Sequence, residues 1–150
     1  MGNCYSDQTL LKQSQDVPLF SLEGNIYRCK IVSVYDGDTC TAIFKLNGKY
    51  SKFKIRMQGY DSPEMKPRLN APNREEEKKQ AVIAKNALIN ETNDRVIILK
   101  CGKWDKYGRL LGTLYKTKPL LHSTSINQWM IDNNFGYPYD GGKKRDFDTI

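Results

Sequence analysis

The sequence predicts an α+β fold in which five strands close into a small β-barrel with helices packed on it. Three observations carry this prediction. Residues 26–60 hold three strand-length runs rich in β-branched and aromatic residues, joined by Asp-Gly and Asn-Gly turn signals. A helical stretch follows the third run, and two more strand-like runs precede a second helical stretch.

Residues 1–22 mix Ser, Gln, Asp and Leu without sustained periodicity and read as an arm, so the domain is placed at 23–150. "NIYRCKIVSVYDG", "TCTAIFKLNGK" and "YSKFKIRMQGY" read as a hairpin-linked meander, because Asp-Gly and Asn-Gly suit two-residue turns. "NREEEKKQAVIAKNALINETN" reads as a helix. Asn73 is placed to cap it, Glu76 stands three residues on as in a capping box, and Ala81, Ile83, Ala84, Ala87 and Leu88 form an apolar stripe. Its charged first half reads as a solvated face. "RVIILKCG" and "GRLLGTLY" are the fourth and fifth strands. "TSINQWMIDNNFG" closes as a helix capped by Ser or Thr, with Ile126, Trp129 and Met130 apolar and Gly136 as its stop.

A chain of 150 residues fits one domain able to bury a core without staples. With 39% hydrophobic and 27% charged residues it reads as soluble and globular. No long uncharged apolar run marks a membrane span or a signal peptide, which predicts a cytosolic protein. The four cysteines show neither C-x-x-C pairing nor the density of a disulfide scaffold. Cys29, Cys40 and Cys101 sit in apolar runs and are expected to be small buried hydrophobes. Twenty-four Lys and Arg against 17 Asp and Glu give a net charge of +7, a field that attracts nucleic acid or an anionic membrane.

Against that charge, "VSVYDGDTCTA" sets Asp36 and Asp38 on either side of a glycine. A tight turn accounts for these residue types, and a turn at a strand end is also where a scaffold displays a metal-binding carboxylate. Two further segments belong with it, "RMQGYDSPE" and "DKYGR". Asp38 and Asp61 are hard oxygen donors that, with backbone carbonyls and waters, suit Ca²⁺ better than zinc. Pro63 restrains the backbone beside Glu64. Arg56 and Arg109 carry planar guanidinium groups that can grip phosphate in a fork. A cation, a carboxylate to prepare water and donors aimed at phosphoryl oxygens are what phosphodiester hydrolysis needs.

At these three segments, in order and spacing, the chain resembles the thermonuclease (staphylococcal nuclease-like) family from roughly Ile26 to Tyr139. The resemblance implies an OB-fold-like barrel and a calcium ion held by Asp38, Asp61 and the backbone carbonyl of Ser62, where the family usually carries Thr. Asp36 is then a supporting carboxylate, Arg56 and Arg109 the catalytic arginines, and Glu64 the general base or the group that orients water. Lys106, Tyr107, Tyr137 and Tyr139 match nucleotide-contacting positions, although packing of the barrel accounts equally well for the last two tyrosines. The implied activity is calcium-dependent endonucleolytic hydrolysis of DNA and RNA, with little sequence specificity, a preference for single strands and products ending in 3′-phosphate; a monomer is expected. The family continues into a further helix after the tyrosine pair. Here the sequence reads "GGKKRDFDTI", which leaves open how that side of the barrel is covered.

"MGNCYS" fits an N-myristoylation pattern at Gly2, with Cys4 placed for palmitoylation and an ordinary polar N-terminus as the alternative. Two acyl chains anchor stably where one binds weakly, so attachment to the cytoplasmic face of a membrane is expected, with a precedent in the family. Two rival functions stand beside the nuclease: a silent module that binds nucleic acid or protein, and a membrane-tethered adaptor. The full set of Asp38, Asp61, Glu64, Arg56 and Arg109 argues against lost catalysis.

Overall fold

A computed structural model describes residues 7–119 and 123–146 of the chain. Gly2 and Cys4 lie outside the described residues. In chain order the elements are α1 (Asp7–Leu11), β1 (Ile26–Asp36), β2 (Thr39–Leu46), β3 (Lys49–Met57), β4 (Tyr60–Asp61), α2 (Arg74–Thr92), β5 (Ile97–Trp104), β6 (Leu110–Tyr115), α3 (Ile126–Asp132) and β7 (Tyr137–Pro138). Strands β1, β2, β3, β6 and β5 close into a barrel in that spatial order. All neighbours pair antiparallel except β3 and β6, which run parallel. The predicted five-stranded barrel with packed helices is what forms. Beyond it, α1 lies in the arm, and β4 pairs with β7 as a separate sheet.

Strand periodicity sorts the chain. On β2, Cys40, Ala42 and Phe44 point inward, while Thr39, Thr41, Ile43 and Lys45 point outward. Inside the barrel, Phe44 stacks between Tyr27 and Phe53, with ring centroids 4.5 and 4.3 Å away. Cys29, Cys40 and Cys101 are buried free thiols, as their apolar surroundings predict. Burial pushes Cys29 and Cys101 up to about 12 and about 11, so both are inert at neutral pH. Leu22 at the end of the arm is also part of this core, 2% exposed.

Two turns connect the meander. At the β2–β3 turn Asn47 and Gly48 have φ of 47° and 82°, as a two-residue hairpin with both central residues left-handed requires. At the β1–β2 turn the glycine serves close approach instead. A Cβ on Gly37 would lie 2.7 Å from the Cβ of Ala84 on α2 and 2.9 Å from that of Ser62.

Helix α2 lays Ala81, Ala84, Ala87 and Leu88 on the core. Ile83 does not join the stripe, being 49% exposed, because one residue before Ala84 it is turned about 100° off that face. The capping box is also absent. Asn73 has φ 53°, where a capping residue is extended, and no side-chain cap bond forms. Glu76 bonds Gln80 and pairs with Lys79 instead. Helix α3 is capped as expected, the Ser125 side chain accepting from the Gln128 N–H at 3.0 Å, and it buries Ile126 and Met130. Gly136 does not stop α3. The helix ends at Asp132, and Asn134 takes the left-handed conformation, with φ 61°. Gly136 is needed further on, where β7 meets β4, since a Cβ there would lie 2.6 Å from the Asp61 carbonyl oxygen.

The parallel β3–β6 seam carries three paired positions. Asn127 of α3, 4% exposed, closes it. Its amide donates to the carbonyls of Gln58 and Gly112 at 2.8 and 2.9 Å, and its oxygen accepts from Leu114 N–H at 3.0 Å. Asn127→Leu leaves buried backbone groups unpaired at this seam, so chemical denaturation is expected to show a loss of about 2–5 kcal/mol. A loss below about 0.5 kcal/mol would mean the seam holds without it.

Candidate active site

Three pieces of chain meet around one guanidinium. The β1–β2 turn supplies Asp38, the end of β3 supplies Arg56, and β4 supplies Asp61. Arg56 Nη2 lies 2.7 Å from Asp61 Oδ1, and Nη1 lies 3.2 Å from Asp38 Oδ2. Nη1 also donates to the carbonyls of Met57 and Tyr60 at 3.1 and 3.0 Å. All three side chains are buried. Buried carboxylates require such a partner, so the fork of Arg56 is occupied by protein, whereas the sequence led us to expect it to grip phosphate.

Ser62 donates to Asp38 Oδ2 twice, from its backbone N–H at 2.9 Å and its hydroxyl at 3.1 Å. The side chain at this position therefore matters, beyond the carbonyl implied by resemblance. Thr39 donates to the other oxygen of Asp38 at 2.9 Å. Asp36 Oδ1 accepts from the Asp38 N–H at 3.1 Å across the turn. Burial pushes the Asp38 carboxyl above its ordinary range; Asp36 and Asp61 push the same way, and Arg56 and the Ser62 N–H only partly offset them.

Glu64 lies half exposed at the mouth of this cluster, its backbone N–H donating to Glu77 Oε1 at 3.1 Å. Lys144 reaches it from the segment after β7. The ammonium lies 2.6 Å from Glu64 Oε1 and 3.1 Å from Asp61 Oδ1. Burial works to lower the Lys144 pKa, but its bonds to the two carboxylates raise it on balance. Tyr137 is buried rather than presented to a base. Its hydroxyl donates to Asp61 Oδ2 at 2.8 Å, the Arg145 guanidinium covers its ring, and burial together with the Asp61 bond pushes its hydroxyl up to about 12.

Arg109 stands just before β6 and is oriented by Asp105. Asp105 Oδ2 accepts from Arg109 Nε at 2.7 Å, and Oδ1 accepts from the backbone N–H groups of Tyr107 and Arg109 at 2.8 and 2.9 Å. Burial works to raise the Asp105 pKa, but these bonds outweigh it and hold the carboxyl below its ordinary value. Arg109 Nη1 lies 3.4 Å from the Thr39 hydroxyl, next to Asp38. Tyr107 is 72% exposed, with Lys106 Nζ 5.1 Å from its ring centroid.

Asp36, Asp38, Arg56, Glu64 and Arg109 line one cleft of about 1000 Å³, together with Lys106, Tyr107, Tyr139 and Lys144. Asp61, Ser62 and Tyr137 sit behind that lining and are buried. Sequence reasoning missed Asp105 and Lys144. Asp105 has a signal, an Asp four residues before Arg109 across a turn sequence; Lys144 has none.

Among the described residues no group of three or more His, Cys, Asp or Glu side chains is arranged to hold a metal ion. The donor set nonetheless fits a hard divalent cation. Asp38 and Asp61 offer hard carboxylate oxygens, and the buried carboxylates of Asp36, Asp38 and Asp61 outnumber the buried guanidinium of Arg56.

The lowered carboxyl of Asp105 sets a pH dependence. Its pairing stabilises the fold above the ordinary aspartate pKa of about 4 and is lost as pH falls through the lowered value. Asp105→Asn is therefore expected to melt below wild type at pH 7, with the gap closing as the solution is acidified. A gap of constant size across the acid range would contradict that role.

A search of curated proteins returned no match. Residues 54–144, more than half of the chain, match the family model described as staphylococcal nuclease homologue. The matched span carries Arg56, Asp61, Glu64, Arg109 and Lys144; Asp36 and Asp38 precede it and join these residues through the β1–β2 turn. The chain belongs to the staphylococcal nuclease homologue family.

Proposed function

We propose that the protein is a calcium-dependent nuclease that hydrolyses phosphodiester bonds of DNA and RNA with little sequence specificity, favouring single strands and leaving 3′-phosphate ends. The observation that carries this reading is the single cleft onto which Asp38, Arg56, Glu64 and Arg109 all open, in a chain of this family.

Asp38 and Asp61, with the Ser62 carbonyl, would hold the calcium ion, which supplies positive charge against the scissile phosphate when bound. The rest falls to the chain's own groups. A carboxylate oxygen of Glu64 takes a proton from water, and the water oxygen attacks phosphorus. The bond from phosphorus to the 5′-oxygen breaks, the departing 5′-oxygen takes up a proton from solvent water to leave as a hydroxyl, and the phosphate stays on the 3′ side. Lys144 restrains Glu64 through its 2.6 Å ion pair. Arg109, held by Asp105, is free to turn N–H groups toward the phosphoryl oxygens. Arg56 keeps Asp38 and Asp61 in place and adds fixed positive charge behind them. Tyr107 and Tyr139 offer rings to bases without reading sequence.

Purified protein is expected to cleave single-stranded DNA with Ca²⁺ and to stop in excess chelator. Arg109→Lys is expected to lower turnover by roughly three to five orders of magnitude, by analogy with arginine contacts in other phosphoryl transfers. Glu64→Gln should reduce turnover far more than oligonucleotide binding. Undiminished cleavage in chelator would remove the metal assignment, and binding with no turnover under any metal would favour the silent module.

Membrane attachment through acylated Gly2 and Cys4 is a separate proposal that rests on the "MGNCYS" pattern. The N-terminal peptide isolated from eukaryotic cells should carry the mass of a myristoyl chain on Gly2. An unmodified peptide would refute it.

A further inference from the structure

Between residues 25 and 57 the chain carries seven Lys and Arg and only two carboxylates, Asp36 and Asp38, both in the active site. The strand register gathers the remaining cations on one face. Lys30 on β1 is opposite Ile43 on β2, which is opposite Lys52 on β3; Thr41 is opposite Lys54, and Lys45 is opposite Tyr50. The alternation that puts Cys29, Ala42, Phe44 and Ile55 inside puts Arg28, Lys30, Lys45, Lys52 and Lys54 outside, where all five are exposed. Among the described residues none of the five is in a salt bridge.

This face leads into the cleft. Along β3 the side chains of Tyr50, Lys52, Lys54 and Arg56 alternate onto the same side, and Lys54 and Tyr35 already line the cleft beside Arg56. Tyrosines stand at both ends of the track, Tyr35 54% exposed at the cleft and Tyr50 77% exposed at the far end. Lys45 Nζ lies 5.9 Å from the Tyr50 ring centroid.

We propose that the outer face of β1, β2 and β3 is a second binding surface, which takes the backbone of the same single-stranded polynucleotide whose scissile phosphate lies in the cleft. The proposal rests on the nuclease reading above and extends it. Unpaired cations along a track attract a polyanion, and exposed rings at its ends stack on bases whatever their identity. An anionic bilayer would meet the same charges. It fits less well, because a membrane laid on this face would cover the mouth of the cleft that Lys54 and Tyr35 border.

The test uses the full chain carrying Glu64→Gln, with and without the further changes Arg28→Gln, Lys30→Gln, Lys45→Gln and Lys52→Gln, none of which lines the cleft. Binding is measured to a thymidine dinucleotide, a 20-residue oligothymidylate and vesicles containing phosphatidylserine. The track predicts that the 20-mer binds the parent protein more tightly than the dinucleotide does. It further predicts that the four changes weaken only the 20-mer, by tenfold or more, and cut the slope of log affinity against log salt by about 3, since each phosphate contact on a single strand contributes about 0.7. The melting temperature should be unchanged. Equal affinity for both lengths, an unchanged salt slope, or loss of vesicle binding without loss of 20-mer binding would overturn the proposal. Cleavage of the dinucleotide by protein with Glu64 intact tests the nuclease reading separately, so a failed track and a failed nuclease give different results.

Discussion

The site depends on one buried ion cluster, Arg56 held between Asp38 and Asp61. Those residues come from a hairpin turn, a strand end and a two-residue strand, which the cluster ties together. Removing one member of such a cluster leaves a buried charge uncompensated, at a cost of about 3–5 kcal/mol. The cluster also carries more negative than positive charge once Asp36 is included. That excess is costly to the fold, and burial together with it pushes the Asp38 carboxyl above its ordinary range.

Holding the cluster requires several close approaches of backbone. Gly37 brings the turn against Ala84 and Ser62, so that the Ser62 N–H and hydroxyl reach Asp38. The Tyr60 hydroxyl donates to the Gly37 carbonyl at 2.6 Å, tying the turn to β4 from the other side. Gly136 then lets β7 lie along β4, which brings Tyr137 to Asp61 and sends the following segment back toward Glu64 with Lys144. The segment after β7, as far as Lys144, is thus part of the site wall.

Much of this was legible in the sequence, and the boundary is physical. The barrel strands were readable because β-branched and aromatic residues alternate on a two-residue period and because Asp-Gly and Asn-Gly mark turns, both local signals. Asp38, Asp61, Glu64 and Arg109 stood out through short motifs. What escaped was choice of partner across the chain. That Asn127 closes the β3–β6 seam, that Tyr137 props Asp61 and that Lys144 meets Glu64 depend on contacts 69, 76 and 80 residues apart, which leave no local pattern. The capping box at Asn73 failed in the opposite way. Its residue types were right, but the chain enters α2 through a left-handed residue, a backbone choice that composition does not reveal.

The outer face of the meander shows how a fold can carry concentrated charge at little cost. Lys30 and Lys52 stand on strands separated by β2, hence about 10 Å apart, close to the screening length in physiological salt. Between them lies the neutral Ile43, and on the next step along the sheet Thr41 lies beside Lys54. Repulsion across the face is therefore weak in solution, and no carboxylate is needed there to offset it. Carboxylates are confined to the strand end, where burial and Arg56 fix them. A polyanion following the face would meet only positive charge until it reached the cleft, and there the negative cluster would oppose it unless a cation intervened. The same sorting of charge that leaves the barrel stable thus sets a positive outer face against a negative strand end.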